Sequence, residues 1–156
     1  MTTMRTLLSE MSPDAREALL ARSHRVDFPS GTRIFDEHRC ADRFWIIENG
    51  TVELDMHVPG HKAAVVETLG FGDLLGWSWM VPPYLWHLGA TATHPVQALE
   101  FDAQAVRELC AADSGVGREV SIGVAAVIAR RLSASRNRLL AMFASNGSGQ
   151  LLEDSR

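Results

Sequence analysis

The fold is decided by residues 44–56, FWIIENGTVELDM, in which two strand-forming segments flank the pair Asn49-Gly50. Both central positions of a type I′ turn need a positive φ, which asparagine and glycine tolerate better than other residues. The first segment is rich in β-branched and aromatic residues. The second alternates apolar and polar side chains, as a strand with one solvent-exposed face does. The stretch therefore predicts a β-hairpin.

Turn signals recur on both sides of this hairpin. Pro29-Ser30-Gly31 and Pro59-Gly60 are typical of turns, and short apolar segments lie between them. Because no helix-length segment interrupts the series, we expect a mainly β fold in which residues 24–102 form an antiparallel β-roll or barrel. The predicted strands are 26–28, 32–35, 44–48, 51–56, 63–69, 74–75, 88–93 and 96–101.

Helices are predicted on both sides of the β region. Ser12 can cap a first helix that has Pro13 at its first position and ends near Ser23. Asp102 can cap a short helix over residues 103–110. A long helix is expected over about 115–144, with its regular pattern over 117–143, and residues 146–156 are expected to form a disordered tail.

One face of the long helix predicts a dimer. A set of positions recurs every three or four residues, and five of its six members are apolar. This pattern is more typical of a coiled-coil seam than of a helix that lies on a sheet. We therefore expect a homodimer formed through this helix. The seam positions are Ala125, Ile128, Leu132, Ser135, Leu139 and Met142.

Composition limits the class of protein. The chain has 156 residues, of which 46 % are hydrophobic, and these numbers suit one globular domain over residues 1–145. It has no apolar segment of membrane-spanning length and no signal-peptide pattern, and Cys40 and Cys110 lack metal-ligand spacing. We therefore expect a cytoplasmic protein with reduced thiols and no membrane contact. A net charge of −4 is unlike that of a nucleic-acid binder.

Four motifs occur in a fixed order. They are Pro29-x-Gly31-x-x-Ile34-Phe35-x-Glu37, then Phe44-Trp45-Ile46-Ile47-Glu48-Asn49-Gly50-x-Val52-Glu53-Leu54, then Leu69-Gly70-x-Gly72-Asp73-x-x-Gly76, and the helical segment 128–135. As an ordered set they resemble the cyclic nucleotide-binding domain, in particular the effector domain of the Crp/Fnr (catabolite activator) family. The resemblance extends over about residues 7–143. It implies a β-roll of the double-stranded β-helix type, a regulatory sensing function without enzymatic activity, and dimerisation through the long helix.

The resemblance also implies a helix-turn-helix domain after the long helix. The chain ends about where that domain would begin, and the few residues left cannot form a recognition helix pair. We expect an effector domain that does not itself bind DNA. Whether it stands alone or is cut from a longer regulator stays open.

The phosphate-binding cassette departs from the family pattern. In family members that bind cAMP, Gly-Glu-Leu is followed by Arg-Ser/Thr-Ala; the glutamate binds the ribose 2′-hydroxyl and the arginine binds the cyclic phosphate. Here Gly76 matches the glycine, Trp77 stands at the glutamate position, and the arginine position falls near Trp86 or His87. Lysine and arginine are absent from residues 63–106. A tryptophan cannot replace a charge-assisted guanidinium–phosphate pair, so cAMP binding is predicted to be weak or absent.

The expected ligand-binding residues come from the cassette and from the long helix. They are Gly76, Trp77, Ser78, Trp86, His87, Ser135 and Arg136. Ser135 aligns with the hydroxyl residue that contacts the nucleotide base in the family. His87 is the one group near the arginine position that can become cationic, towards acidic pH.

The aromatic residues of the cassette leave two interpretations open. They can line a pocket for a flat or apolar small-molecule effector, or they can fill the pocket and leave a pure protein-interaction or dimerisation module. A third hypothesis, an enzyme on the same β scaffold, would need a bound metal. His57 and His61 flank one turn but lack a third ligand, so we expect no metal and no cofactor.

Overall fold

The computed structural model describes residues 6–145, in which eight strands form two four-stranded antiparallel sheets. One helix precedes the strands in the chain and two follow them, so the predicted mainly β fold with flanking helices and a long C-terminal helix is confirmed. The elements are α1 (Pro13–Leu20), β1 (Ser23–Phe28), β2 (Arg33–Phe35), β3 (Arg43–Asn49), β4 (Val52–Met56), β5 (Ala64–Leu69), β6 (Leu74–Leu75), a 3-10 turn (Ser78–Met80), β7 (Gly89–Ala92), β8 (Val96–Asp102), α2 (Ala103–Ala112) and α3 (Ser114–Ser145). Among these residues no helix is long and apolar enough to cross a membrane.

The two sheets have the strand orders β1-β8-β3-β6 and β2-β7-β4-β5. The predicted hairpin between β3 and β4 is wrong, because these two strands pair in different sheets. Gly50 has the expected positive φ of 97°, but Asn49 does not, so the turn is not of type I′. A Cβ on Gly50 would lie 2.8 Å from the Cα of Val96, which shows that this turn is pressed against the connection between β7 and β8. Both connections pass from one sheet to the other at this place.

An aromatic stack forms the centre of the core. Phe44 on β3 stacks on Trp79 with ring centres 4.3 Å apart and on Phe101 with ring centres 4.6 Å apart. All three side chains are fully buried. Burying a large apolar side chain stabilises a fold by roughly 1.5–3 kcal/mol, so this stack joins the 3-10 turn firmly to the first sheet.

Asp55 on β4 is buried, although the alternation of the sequence places it on a solvent-exposed face. The reason is Arg33 on β2, whose Nη1 and Nη2 both donate to the Asp55 carboxylate, the second at 3.0 Å. Gly89 on β7 leaves room for the pair, since a Cβ there would lie 2.7 Å from the Asp55 carboxylate. The hydrogen bond to Asp55 raises the pKa of the Arg33 guanidinium above its usual value. A charge-assisted bidentate pair therefore crosses the second sheet.

The first helix is held to the beginning of the last. The backbone N–H and the hydroxyl of Ser12 donate to the carboxylate of Glu119 on α3, at 2.7 and 2.8 Å. These hydrogen bonds lower the pKa of the Glu119 carboxyl. Ser12 also accepts from the backbone N–H of Ala15, so the predicted cap of α1 is confirmed, while α1 ends earlier than predicted, at Leu20.

The chain divides into two compact units, residues up to Val124 and residues from Ala125 on. The first contains both sheets, α1, α2 and the beginning of α3, and the second contains the rest of α3. The predicted disordered tail, 146–156, lies outside the described residues. Cys40 and Cys110 are free thiols; Cys40 is exposed, and partial burial raises the pKa of Cys110.

Candidate ligand site

The cassette begins with a glycine that the fold requires. Gly76 follows β6 and has a φ of 92°, a backbone conformation that side chains with a Cβ rarely adopt. A Cβ at this position would also lie 2.6 Å from the indole ring of Trp86. Gly76 therefore does two things: it turns the chain out of β6, and it makes room for a tryptophan that comes from the other end of the cassette.

Trp77 stands at the position that the resemblance assigns to the nucleotide-binding glutamate, and His87 is one of the two residues near the predicted arginine position. Their rings stack with centres 4.7 Å apart and an angle of 22° between their planes. Ser78, which is buried, has its Oγ 2.9 Å from His87 Nδ1. The two ends of the cassette are thus joined by one ring stack and one hydrogen bond, and His87 itself is exposed.

The other two tryptophans of the cassette are buried. Trp86 is 4 % exposed and stacks on Phe35 of β2, with ring centres 3.9 Å apart. Trp79 is fully buried against Phe44 in the core. The structure therefore brings Gly76, Trp77, Ser78 and His87 together, with His87 exposed, Trp77 half-buried and the other two buried, while Trp86 turns towards β2.

Arg107 is a residue of this region that the sequence analysis missed. It lies on α2, directly after the stretch without lysine or arginine, and its Nη1 donates to the backbone carbonyl of Trp79 at 2.7 Å. Its guanidinium also lies over the ring of Tyr84, 4.5 Å from the ring centre. The sequence places Arg107 on a helix but carries no signal that this helix packs on the 3-10 turn. Arg107 therefore stabilises the backbone of the cassette, through one hydrogen bond and one cation–π contact to residues of this chain.

Two predicted ligand-binding residues, Ser135 and Arg136, lie on α3 in the second unit and are exposed. Of the seam positions, Leu132, Leu139 and Met142 are each more than half exposed, and Ile128 is partly buried. The roles of these residues in ligand binding and in dimerisation remain predictions. Within residues 6–145 no three His, Cys, Asp or Glu side chains lie close enough together to hold a metal ion.

Comparison with known proteins gives consistent results. Residues 25–113 match the family described as "Cyclic nucleotide-binding domain". The CRP-like cAMP-activated global transcriptional regulator of Mycobacterium tuberculosis is 30 % identical over 129 residues, which are 83 % of this chain and 56 % of the regulator. This chain thus spans about half the length of that relative.

Solved structures show the same fold. A cyclic nucleotide-binding domain from Methylobacillus flagellatus has a TM-score of 0.78 at 19 % identity, covering 85 % of this chain and 74 % of that chain. The catabolite activator protein of Thermus thermophilus has a TM-score of 0.72 at 21 % identity, covering 87 % of this chain and 62 % of that chain. At these identities the likeness concerns the fold alone.

Proposed function

This chain belongs to the family of cyclic nucleotide-binding domains, and from that membership we propose that it is a non-enzymatic sensor domain of the Crp/Fnr type whose cassette binds cAMP weakly or not at all. Its effector is a flat or apolar small molecule. Binding of the effector shifts α3 between two states, which requires that the effector bind those states with unequal affinity.

The observation that carries the proposal is the stack of Trp77 on His87, with His87 held by Ser78. A cyclic phosphate placed at this point would meet an indole and an imidazole instead of a guanidinium. Losing a charge-assisted hydrogen bond costs a few kcal/mol, or about two to three orders of magnitude in affinity. Arg107 does not compensate, because its contacts with Trp79 and Tyr84 commit it to the fold.

Calorimetric titration of the whole chain with cAMP and cGMP tests the proposal. We expect no saturable heat in the micromolar range for the unmodified protein. The double variant Trp77→Glu/His87→Arg restores both family groups and is expected to gain cAMP affinity, whereas His94→Arg, at an exposed position outside the cassette, is not. Micromolar or tighter binding of cAMP by the unmodified protein would contradict the proposal.

The exposed apolar residues of α3 support the homodimer. Leu132 and Leu139 are 56 % and 64 % exposed, an unfavourable state for leucine side chains that a second copy of the helix relieves. Equilibrium sedimentation is expected to give a dimer for the unmodified protein and for Ser133→Glu, and a monomer for Leu132→Glu/Leu139→Glu. A monomer of the unmodified protein at micromolar concentration would overturn this part.

The burial of Trp86 favours a second candidate, a pure interaction module whose pocket is filled by its own side chains. The same experiments separate the two functions. If the Trp77→Glu/His87→Arg variant also gives no binding heat while the dimer persists, the interaction module is the better description.

A further inference from the structure

A cavity beside β2 lies outside the Trp77–Ser78–His87 cluster. Its volume is about 300 Å³, and it is formed by β2, the following loop and the start of β3. Its walls include Arg33, Phe35, Arg39, Arg43, Trp45 and Trp86. Cavities of this size are at the lower end of the range of small-molecule sites, so it can hold one or two rings.

One wall of the cavity is aromatic and well supported. Phe35 stacks on Trp86 with ring centres 3.9 Å apart and on Trp45 with ring centres 5.8 Å apart. Trp45 is fixed in turn by the hydrogen bond from its Nε1 to Glu100, at 3.0 Å. Trp45 and Trp86 are each 4 % exposed, so the apolar surface that this wall offers a flat ligand is mainly that of the half-buried Phe35, which the two indole rings hold in place.

Two of the three arginines in the walls have guanidinium groups available to a ligand. Arg33 is committed to Asp55 and to Asp36, the latter at 2.7 Å. The Arg43 side chain is 57 % exposed, and its Nη1 lies 3.6 Å from a Glu100 oxygen, too far for a good hydrogen bond. Arg39 is an exposed residue, and its guanidinium makes no hydrogen bond or ion pair with any residue in the described range.

Nearby carboxylates limit the charge that the cavity can accept. The Glu100 oxygen that faces Arg43 also accepts from Trp45, and its second oxygen lies 2.9 Å from His24 Nε2. Asp42 is a further cavity residue. Asp42 and Glu100 lie beside the two available guanidinium groups and repel any further negative charge. The cavity therefore suits a ligand with a single negative charge better than a doubly charged phosphate.

We propose that this cavity binds an aromatic carboxylic acid, with its ring on the Phe35–Trp86 wall and its carboxylate held by Arg39 and Arg43. Guanidinium groups bind carboxylates through paired charge-assisted hydrogen bonds. The site shares Trp86 with the cassette but does not include the Trp77–Ser78–His87 cluster, and it does not depend on whether that cluster binds a nucleotide. It therefore goes beyond the proposed sensor function.

The tryptophans allow a direct test, because Trp45 and Trp86 line the cavity whereas Trp77 lies in the cluster with Ser78 and His87. Nuclear magnetic resonance of the ¹⁵N-labelled whole chain would follow the four indole signals, assigned by Trp→Phe variants, during titration with 1-naphthoate. We expect saturable shifts for Trp45 and Trp86 and none for Trp77. Phenyl phosphate at equal ionic strength is expected to bind more weakly.

Charge variants provide the controls. Arg39→Gln removes no contact within the described protein, so the fold is expected to persist while 1-naphthoate affinity falls about tenfold, as for loss of one charged hydrogen bond. Asp42→Asn is expected to strengthen the binding of 1-naphthoate. It is also expected to reduce the difference in affinity between 1-naphthoate and phenyl phosphate. Arg138→Gln, exposed on α3, is expected to have no effect. The proposal is overturned if Trp45 and Trp86 do not shift saturably, if Trp77 shifts in their place, or if Arg39→Gln binds as well as the unmodified protein.

Discussion

Ser78 Oγ lies 2.9 Å from His87 Nδ1, so one hydrogen bond spans the cassette between residues that flank its proline-rich loop. Ser78 is only 3 % exposed, so its hydroxyl has little access to water as an alternative partner. This bond holds the His87 ring over Trp77.

Ser78→Ala is expected to destabilise the protein by about 1 kcal/mol, the typical net contribution of one hydrogen bond. Urea denaturation measures this change, with Ser121→Ala on the exposed surface of α3 as the control. Because the His87 ring loses its anchor, its proton signals are expected to lose the ring-current shift caused by Trp77. Unchanged His87 signals would mean that the ring stack alone positions the imidazole.

Gly76→Ala is expected to destabilise the protein more than Gly31→Ala does. The two glycines have nearly the same φ, 92° and 90°, but a Cβ on Gly31 would meet nothing within 4 Å, whereas a Cβ on Gly76 would meet Trp86. Gly31→Ala therefore measures the backbone strain, about 1–2 kcal/mol, and overpacking adds roughly 1–3 kcal/mol at Gly76. Equal denaturation midpoints for the two variants would show that Trp86 moves aside freely.

The Arg33–Asp55 pair is expected to couple more strongly than the exposed pair of Arg25 and Glu48. Asp55 is largely buried, whereas Arg25 has a side chain that is 81 % exposed. Double-mutant cycles with alanine are expected to give a coupling of roughly 1–3 kcal/mol for the first pair and less than about 1 kcal/mol for the second. A coupling near zero for Arg33 and Asp55 would mean that Asp36 and Thr91 satisfy Arg33 equally well.

The Glu119 carboxyl is expected to make stability depend on pH in the acidic range. Hydrogen bonds from the Ser12 N–H and hydroxyl lower its pKa in the folded state. The unfolded chain therefore binds the proton more readily, so the stabilisation is complete above the ordinary glutamate pKa and is lost as pH falls through the lowered value. Glu119→Gln is expected to flatten the acidic limb of a plot of unfolding midpoint against pH. Glu17→Gln, on the exposed surface of α1, is the control, and identical curves for all three proteins would contradict the assignment.

Strands and turns could be predicted because their signals are local. The β-branched and aromatic residues before Asn49-Gly50 identified β3, the alternation after it identified β4, and Gly50 has the expected φ. That the two strands enter different sheets depends on the contact between Gly50 and Val96, which no local pattern records. The burial of Asp55 likewise depends on Arg33, which comes from another strand of the sheet.

The sequence predicted which cassette residues lie close together, but not the roles of the aromatic residues among them. Family motifs place Gly76, Trp77, Ser78 and His87 in one cassette, and these residues do lie together. From the sequence alone, a tryptophan on a loop is equally compatible with burial in the core and with contact to a ligand. Which occurs at Trp86 is decided by Phe35, a residue far away in the chain on β2.

The strand order has a consequence for how the chain folds as it is synthesised. Among the described strands, β1 pairs only with β8, and β2 pairs only with β7. The strands synthesised first therefore cannot pair until the last strands have been synthesised. Long-range pairings of this kind delay folding, because the conformational entropy of many residues must be lost before any contact between the strands compensates for that loss. Nascent chains that end before β8 are therefore expected to be sensitive to protease and to have exposed strand edges that need protection. The roll is expected to close in one late step, after β8 has been synthesised.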